Sequence, residues 1–364
     1  MSCINNHSLS LFTLLASLVC LFSCQTPDVI EADLTNLKGN EHRLSAEEVY
    51  VSVQATALET SQQCLLSYPS LIAFTDSDMM VTDRNEILRF GRDGTYKNHI
   101  GVYGHGEGEH GALSGVSYDA DTHTVYVFSP PNEVIKYDTG GHYLGRFAMD
   151  GGADDMFLSS CWSKALGLYV AETRLYKDKG VQINIRTYTS DGQKRDIYSL
   201  YSDNLSLTTN FIRGSKLRLT HEGVFVMAPY DNTVYLLGQE GLTPKYIIDR
   251  GQHTPTRELV ENADLSYRLE KHSYYIDNMI VTPRYIYLYI TANQGYNDVL
   301  IRREDGAVVH NCHYAYNDET KHIHTADGRQ SFWPWCSHGG SVATLVDNDD
   351  DVEANPSIVV AVEK

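Results

Sequence analysis

Apolar and polar positions alternate in short runs along most of the chain. Thr124-Val125-Tyr126-Val127-Phe128 is representative. Every second side chain of such a run shares a face, the period of a strand. Five runs end in an Asp-Gly-like turn and continue into another strand: Ile87–Tyr96, Val134–Tyr143, Ile185–Gln193, Val234–Leu242 and Leu300–Ala307. Asp-Gly supplies the positive-φ positions that a tight hairpin needs. The turn glycines Gly94, Gly141, Gly192, Gly241 and Gly306 succeed one another at 47, 51, 49 and 65 residues. Most of these intervals approach the period of about 40–50 residues of a propeller blade.

Most units carry further strands ahead of the hairpin. Leu71–Phe74 and Met79–Thr82 precede the first, and Val116–Tyr118 and Val125–Phe128 the second. Leu217–Leu219 and Val224–Met227 precede the fourth, and Met279–Val281 and Ile286–Ile290 the fifth. Gly340–Val346 and Ser357–Val362 make a sixth unit, which Val49–Thr56 completes from the other end of the chain. That closure removes two exposed sheet edges. The pattern predicts an all-β fold: a six-bladed β-propeller of four-stranded antiparallel blades. The long fifth interval predicts a helical insertion over residues 255–273, with Thr254 as N-cap and Pro255 in the first turn.

The amino terminus reads differently. Residues 1–23 hold no Asp, Glu, Lys or Arg, and Leu9–Phe22 is largely apolar. The run is short of the roughly 20 residues that span a bilayer and fits the apolar region of a signal peptide. It ends in Leu21-Phe22-Ser23-Cys24, which resembles a bacterial lipobox. The resemblance implies cleavage before Cys24 and a lipid on its sulfur, which anchors the chain to a membrane. The expected organisation is a signal peptide over residues 1–23, a lipidated tether over 24–45 and the propeller over 46–364.

Composition narrows the reading. With Lys+Arg 29 against Asp+Glu 47, the formal charge is −18. Nucleic acid is excluded as a partner, since a phosphate backbone needs a basic surface. Twenty-five tyrosines suit half-buried strands. After signal cleavage Cys64, Cys161, Cys312 and Cys336 remain besides Cys24. None are at C-x-x-C spacing, so a zinc knuckle is not expected. Cys312 and Cys336 are the candidate disulfide; four unpaired core cysteines is the equal alternative.

The stretch Val51–Phe147 resembles the six-bladed β-propeller lipoproteins of Bacteroides-type bacteria, relatives of NHL-like and TolB-like propellers. Ala57-Leu58-Glu59-Thr60, the hairpin Phe90–Tyr96 and the loop Gly101–His110 carry the resemblance. Phe332-Trp333-Pro334 and Asn355-Pro356 extend it to the tail. His105, Glu107 and His110 stand where that family's loop has Arg, Pro and Tyr. The resemblance implies the fold and an outer-membrane lipoprotein of the cell envelope, and no reaction.

Several groups of residues could carry chemistry. His105, Glu107, Glu109 and His110, with His99 nearby, have the His and carboxylate donors of a divalent metal site; the plainer reading is a connector with structural glycines. His322 and His324 share a strand face, with His310 and His313 close in sequence. Asp347–Asp351 is oxygen-rich but lacks the Gly and Glu positions of an EF-hand loop. Trp333 and Trp335 could stack on a sugar or anchor the last blade. Asp83, Asp231 and Asn278 are candidates for a carboxylate and amide ring around a central channel. No Gly-x-Ser-x-Gly or His-Glu-x-x-His motif is present. The expected function is a lipid-anchored, non-catalytic binding or scaffold module for a glycan, peptide or protein partner. The alternative is a metal-assisted envelope hydrolase, lactonase or lyase that uses the channel.

Overall fold

The computed structural model describes residues 29–364 apart from 153–154, 178–179, 201–204, 207–215, 229, 257, 259–272, 293–294, 316–322, 326–330 and 349–352. Six antiparallel sheets form a six-bladed propeller. From the innermost strand outwards, blade 1 is Pro69–Phe74, Asp78–Asp83, Glu86–Gly91 and Tyr96–His99. Blade 2 is Gly115–Asp119, Thr124–Ser129, Glu133–Asp138 and Tyr143–Ala148. Blade 3 is Asp155–Ser163, Leu168–Lys177, Gly180–Tyr188 and Lys194–Ser199, and blade 4 is Lys216–Thr220, Gly223–Met227, Thr233–Gly238 and Gly241–Asp249. Blade 5 is Tyr275–Val281, Tyr285–Ala292, Gly295–Arg302 and Val308–Ala315. Blade 6 takes Cys336–His338, Ser341–Val346 and Ser357–Glu363 from the tail and its outermost strand, Tyr50–Ala57, from near the amino terminus. Each innermost strand touches the next, and that of blade 6 touches that of blade 1, so the ring closes.

Alternation within single strands builds the core. In blade 2, Val125 and Val127 face blade 1, while Tyr126 and Phe128 face blade 3. The second strand of a blade is therefore buried on both sides and reads as a nearly unbroken apolar run. Six apolar clusters fill the six seams between neighbouring blades. At the seam between blades 5 and 6, Glu363 accepts hydrogen bonds from Thr282 and Tyr287, both at 2.8 Å.

The repeated turn glycine has two reasons to be glycine. All five adopt positive φ, between 75° and 96°. Four also press against backbone at the edge of the preceding blade: Gly94 on Ala57, Gly141 on His99, Gly192 on Ala148 and Gly306 on Glu31. A side chain there would be strained by its own backbone and would strike a neighbour's carbonyl.

One sequence expectation is corrected and an open one is decided. The segment expected as a tether over 24–45 is folded from Ile30 onward. Ile30–Asp33 adds a parallel fifth strand to the edge of blade 4, and His42 forms a bridge with Asn311 on the edge of blade 5. Ala32, Leu34 and Leu37 are buried in the seam between those blades. This belt hides apolar side chains that a free tether would expose. Of the two cysteine readings the unpaired one holds: Cys312 and Cys336 form no disulfide, nor do Cys64 and Cys161. Cys312 lies on the outermost strand of blade 5 and Cys336 on the innermost strand of blade 6. The insertion expected over 255–273 lies almost wholly outside the described residues, and a 3-10 turn at Gly251–His253 precedes it. Cys24 and residues 1–23 also lie outside them.

Candidate functional site

Up-and-down blades send their connections to two different ends of the disc. Turns between first and second strands, and between third and fourth, emerge at one end and are short: 75–77, 120–123, 221–222 and 339–340, for example. Links between blades, and hairpins joining second to third strands, emerge at the other. The outermost strands of blades 3, 4, 5 and 6 end there, at Ser199, Asp249, Ala315 and Ala57, and the chain takes 11 to 25 residues to reach the next innermost strand. The chain thus loads its longer connections on one end of the ring, the usual disposition of binding surfaces.

Exposed aromatics stand at that end. Tyr68 is 73% exposed and Trp335 48%. Tyr68 is held in place: Asp83 accepts hydrogen bonds from the backbone N–H groups of Ser67 and Tyr68, both at 2.7 Å. The Arg84 guanidinium lies 5.2 Å from the Tyr68 ring centre. The Trp335 backbone is fixed by its N–H to the carbonyl of Ala343 at 2.8 Å, just ahead of the innermost strand of blade 6. Rigid aromatic side chains of this kind supply contact area at low entropic cost.

The loop Gly101–Gly111 does not gather its His and Glu side chains. It folds back on the outer edge of blade 2. Tyr137 donates to the carbonyl of Gly108 at 3.0 Å, and Arg146 to that of Gly106 at 3.3 Å. Glu109 accepts from the Gly106 N–H at 2.7 Å, closing its own turn. His110 is buried edge-on to Tyr137 and bonded to Gly111, whereas His105 and Glu107 are exposed. Among the described residues, no group of three or more His, Cys, Asp or Glu could hold a metal ion.

The other candidates separate in the same way. Trp333 is 5% exposed, packed edge-on against Tyr287 and stacked on His310. It anchors the seam between blades 5 and 6, unlike Trp335. His310 is pushed down to about 4 by burial, with His42 and Arg43 adding to the shift. His313 is bonded to Asn297 at 3.1 Å. His322 lies outside the described residues; the backbone of His324 pairs with Ser331 in a two-stranded sheet. Asp349–Asp351 also lie outside them. Asp83 serves the Tyr68 loop, and Asp231 accepts from the N–H groups of Asn232 and Thr233 in a turn. Of the three channel candidates, only Asn278 lies on an innermost strand. A cleft of about 390 Å³ between blades 3 and 4, lined by Leu166, Arg195, Asp196, Tyr198 and Gln239, lies at the short-turn end.

Asn278 leads to residues the sequence did not single out. Arg218, on the innermost strand of blade 4, reaches across the seam to blade 5. It donates through Nε to the carbonyl of Met279, through Nη1 to that of Leu217 at 2.8 Å, and through Nη2 to Oδ1 of Asn278. Burial lowers Arg218 to about 10, and the groups that offset this are the thiols of Cys161 and Cys336. Burial in turn pushes Cys161 up to about 12 and Cys336 well above the usual thiol range, with Arg218 opposing both shifts. Cys161 and Cys336 lie on the innermost strands of blades 3 and 6. On an innermost strand and bonded across to the innermost strand of blade 5, Arg218 lies beside the central axis of the ring. The available signal was a lone charge between two leucines in a short innermost strand, Leu217-Arg218-Leu219.

This geometry defines the class, a six-bladed β-propeller with one loop-bearing end and a cationic side chain at its channel. Within that class the chain belongs to the family described as domain of unknown function DUF4934, whose model matches residues 29–355. The match begins at the belt, before the first blade. The structure is similar to that of a Bacteroides fragilis protein assigned as exported, at TM-score 0.67 and 16% identity over 92% of this chain and 100% of that one. It is more distantly similar to the WD40 domain of SCAP from fission yeast, at TM-score 0.37 and 11% identity over 72% of this chain and 59% of that one. No curated protein matches the sequence.

Proposed function

We propose that the protein is a non-catalytic binding module of the cell envelope, carried on a lipid at Cys24, which engages a glycan, peptide or protein partner through the loop-bearing end of the ring. The observation that carries this reading is the one-sided distribution of long connections together with the fixed, exposed Tyr68 and Trp335. The apolar run before Cys24 supports export, as does the likeness to a protein assigned as exported. The belt brings the chain to the ring at the outer edge of blade 4. A membrane-linked segment arriving there leaves the loop-bearing end free.

The test compares binding of the chain from Gln25 to purified envelope polysaccharides and to cross-linked envelope proteins. Tyr68→Ala combined with Trp335→Ala is expected to weaken capture at least about tenfold, as loss of aromatic anchors does. A control on exposed residues away from that end, Ile197→Ala with Leu219→Ala, is expected to leave it unchanged. Equal loss in both variants would sink the reading. Radiolabelled palmitate entering the wild type but not Cys24→Ala checks the anchor.

A further inference from the structure

Among the described residues, Arg218 is a cation without an anion. Its guanidinium always carries its charge at physiological pH. Its three hydrogen-bond partners, the carbonyls of Leu217 and Met279 and Oδ1 of Asn278, are all neutral. The nearest carboxylate in sequence on the blade 5 strand, Asp277, accepts from Thr291 instead. The two groups that offset its burial are thiols held protonated by their own burial. Yet the chain as a whole carries −18, and 47 carboxylates were available to pair with 29 basic side chains. A desolvated charge left unpaired is costly, and proteins ordinarily supply a partner.

The donor count shows what is missing. A guanidinium has five N–H groups. Three are used, one on each nitrogen, so one N–H remains on Nη1 and one on Nη2. Two parallel donors on the terminal nitrogens match the two oxygens of a carboxylate. Arg218 is surrounded by protein and still partly exposed, as a channel position allows. Its arms are fixed by backbone carbonyls on two blades, so the fork is held in one orientation.

We propose that the central channel is a binding site for a small carboxylate anion, held end-on by Nη1 and Nη2 of Arg218, with Asn278 and the Met279 carbonyl orienting the guanidinium. The two-point fork selects for a carboxylate over a monatomic anion. This site is independent of the aromatic side chains at the loop-bearing end.

The test is calorimetric titration of sodium acetate into the wild-type chain from Gln25, with sodium chloride at matched concentration as reference. Saturable acetate binding beyond the chloride reference is expected. Arg218→Lys keeps the charge and loses the fork, and is expected to weaken binding about tenfold or more; Arg218→Met is expected to abolish it. Tyr68→Ala with Trp335→Ala is expected to keep acetate binding intact, which separates this site from the loop-bearing end. Absence of saturable binding in the wild type overturns the proposal whatever the variants do. Unchanged affinity in Arg218→Lys overturns the assignment of the fork.

Discussion

Nδ1 of His310, on the outermost strand of blade 5, accepts a hydrogen bond from the backbone N–H of Leu44 at 3.0 Å. An imidazole can accept there only while neutral. The bond therefore fastens the amino-terminal belt to the ring through a group whose charge state matters. The ring of His310 also stacks on Trp333 and is 1% exposed. The same side chain thus joins belt, blade 5 and the seam with blade 6.

This contact makes stability fall in mild acid. Burial holds His310 at about 4 in the folded chain, against its ordinary 6.5. Between those values the unfolded chain binds a proton that the folded chain refuses, so unfolding gains as pH falls. His310 contributes fully above about pH 6.5 and loses its contribution progressively down to about pH 4. The loss is on the order of 3 kcal/mol, from about 1.4 kcal/mol per pH unit. Urea unfolding at pH 7.5 and 5.0 should show about 2 kcal/mol of it. His310→Gln, which retains an acceptor, should flatten the difference between the two pH values. An unchanged pH difference in that variant would contradict the assignment.

The belt is structural, and truncating its anchor should show it. Leu34 is 1% exposed in the seam between blades 4 and 5. Leu34→Ala removes a buried side chain that the surrounding strands cannot readily replace, and should cost about 2–5 kcal/mol. A flexible tether would tolerate the change within about 0.5 kcal/mol. Denaturant midpoints at constant slope distinguish these outcomes.

How far the sequence carries depends on the range of each interaction. The hairpins at Gly94, Gly141, Gly192, Gly241 and Gly306 were readable because a turn and its flanking strands are contiguous. The closing strand Tyr50–Ala57 was readable because a ring with an incomplete sixth unit needs one. The belt was not: Ile30 pairs with Tyr246, and the alternation of Ile30-Glu31-Ala32-Asp33 is only four residues long, with no turn signal to tie it to a blade. Arg218 was hidden for the same reason. Its neighbours Cys161, Asn278 and Cys336 come from three other blades and meet only when the ring closes. The His and Glu side chains of Gly101–Gly111 were grouped by sequence, yet the fold spends Glu109 and His110 on the loop itself.

The four thiols give a direct check on blade assignment. Cys312 pairs across to Asp298 within blade 5, and Cys336 to Ala343 within blade 6. The chain from Gln25, unfolded without reductant, should titrate four thiols. Reductant should leave its melting temperature unchanged. A native disulfide typically contributes about 2–5 kcal/mol, so a fall of several degrees on reduction would contradict the placement of Cys312 and Cys336 on different blades.

Trp333 and Trp335 should answer oppositely to the same substitution. Both flank Pro334, and as a strand they would share a face. The innermost strand of blade 6 starts only at Cys336, however, so the two rings are free to diverge. Trp333 fills the seam between Tyr287 and His310, and Trp333→Ala should cost about 3–5 kcal/mol. Because its ring packs on His310, the same variant should also weaken the pH dependence described above. Trp335 is half exposed and contributes to the ring mainly through its backbone N–H, which alanine keeps. Trp335→Ala should change stability by less than about 0.5 kcal/mol and reduce partner capture. Thermal melts of the two variants, run beside the capture assay, separate a packing tryptophan from a binding one. A stable Trp333→Ala chain, or a Trp335→Ala chain that melts several degrees lower, would reverse the assignment of the two rings.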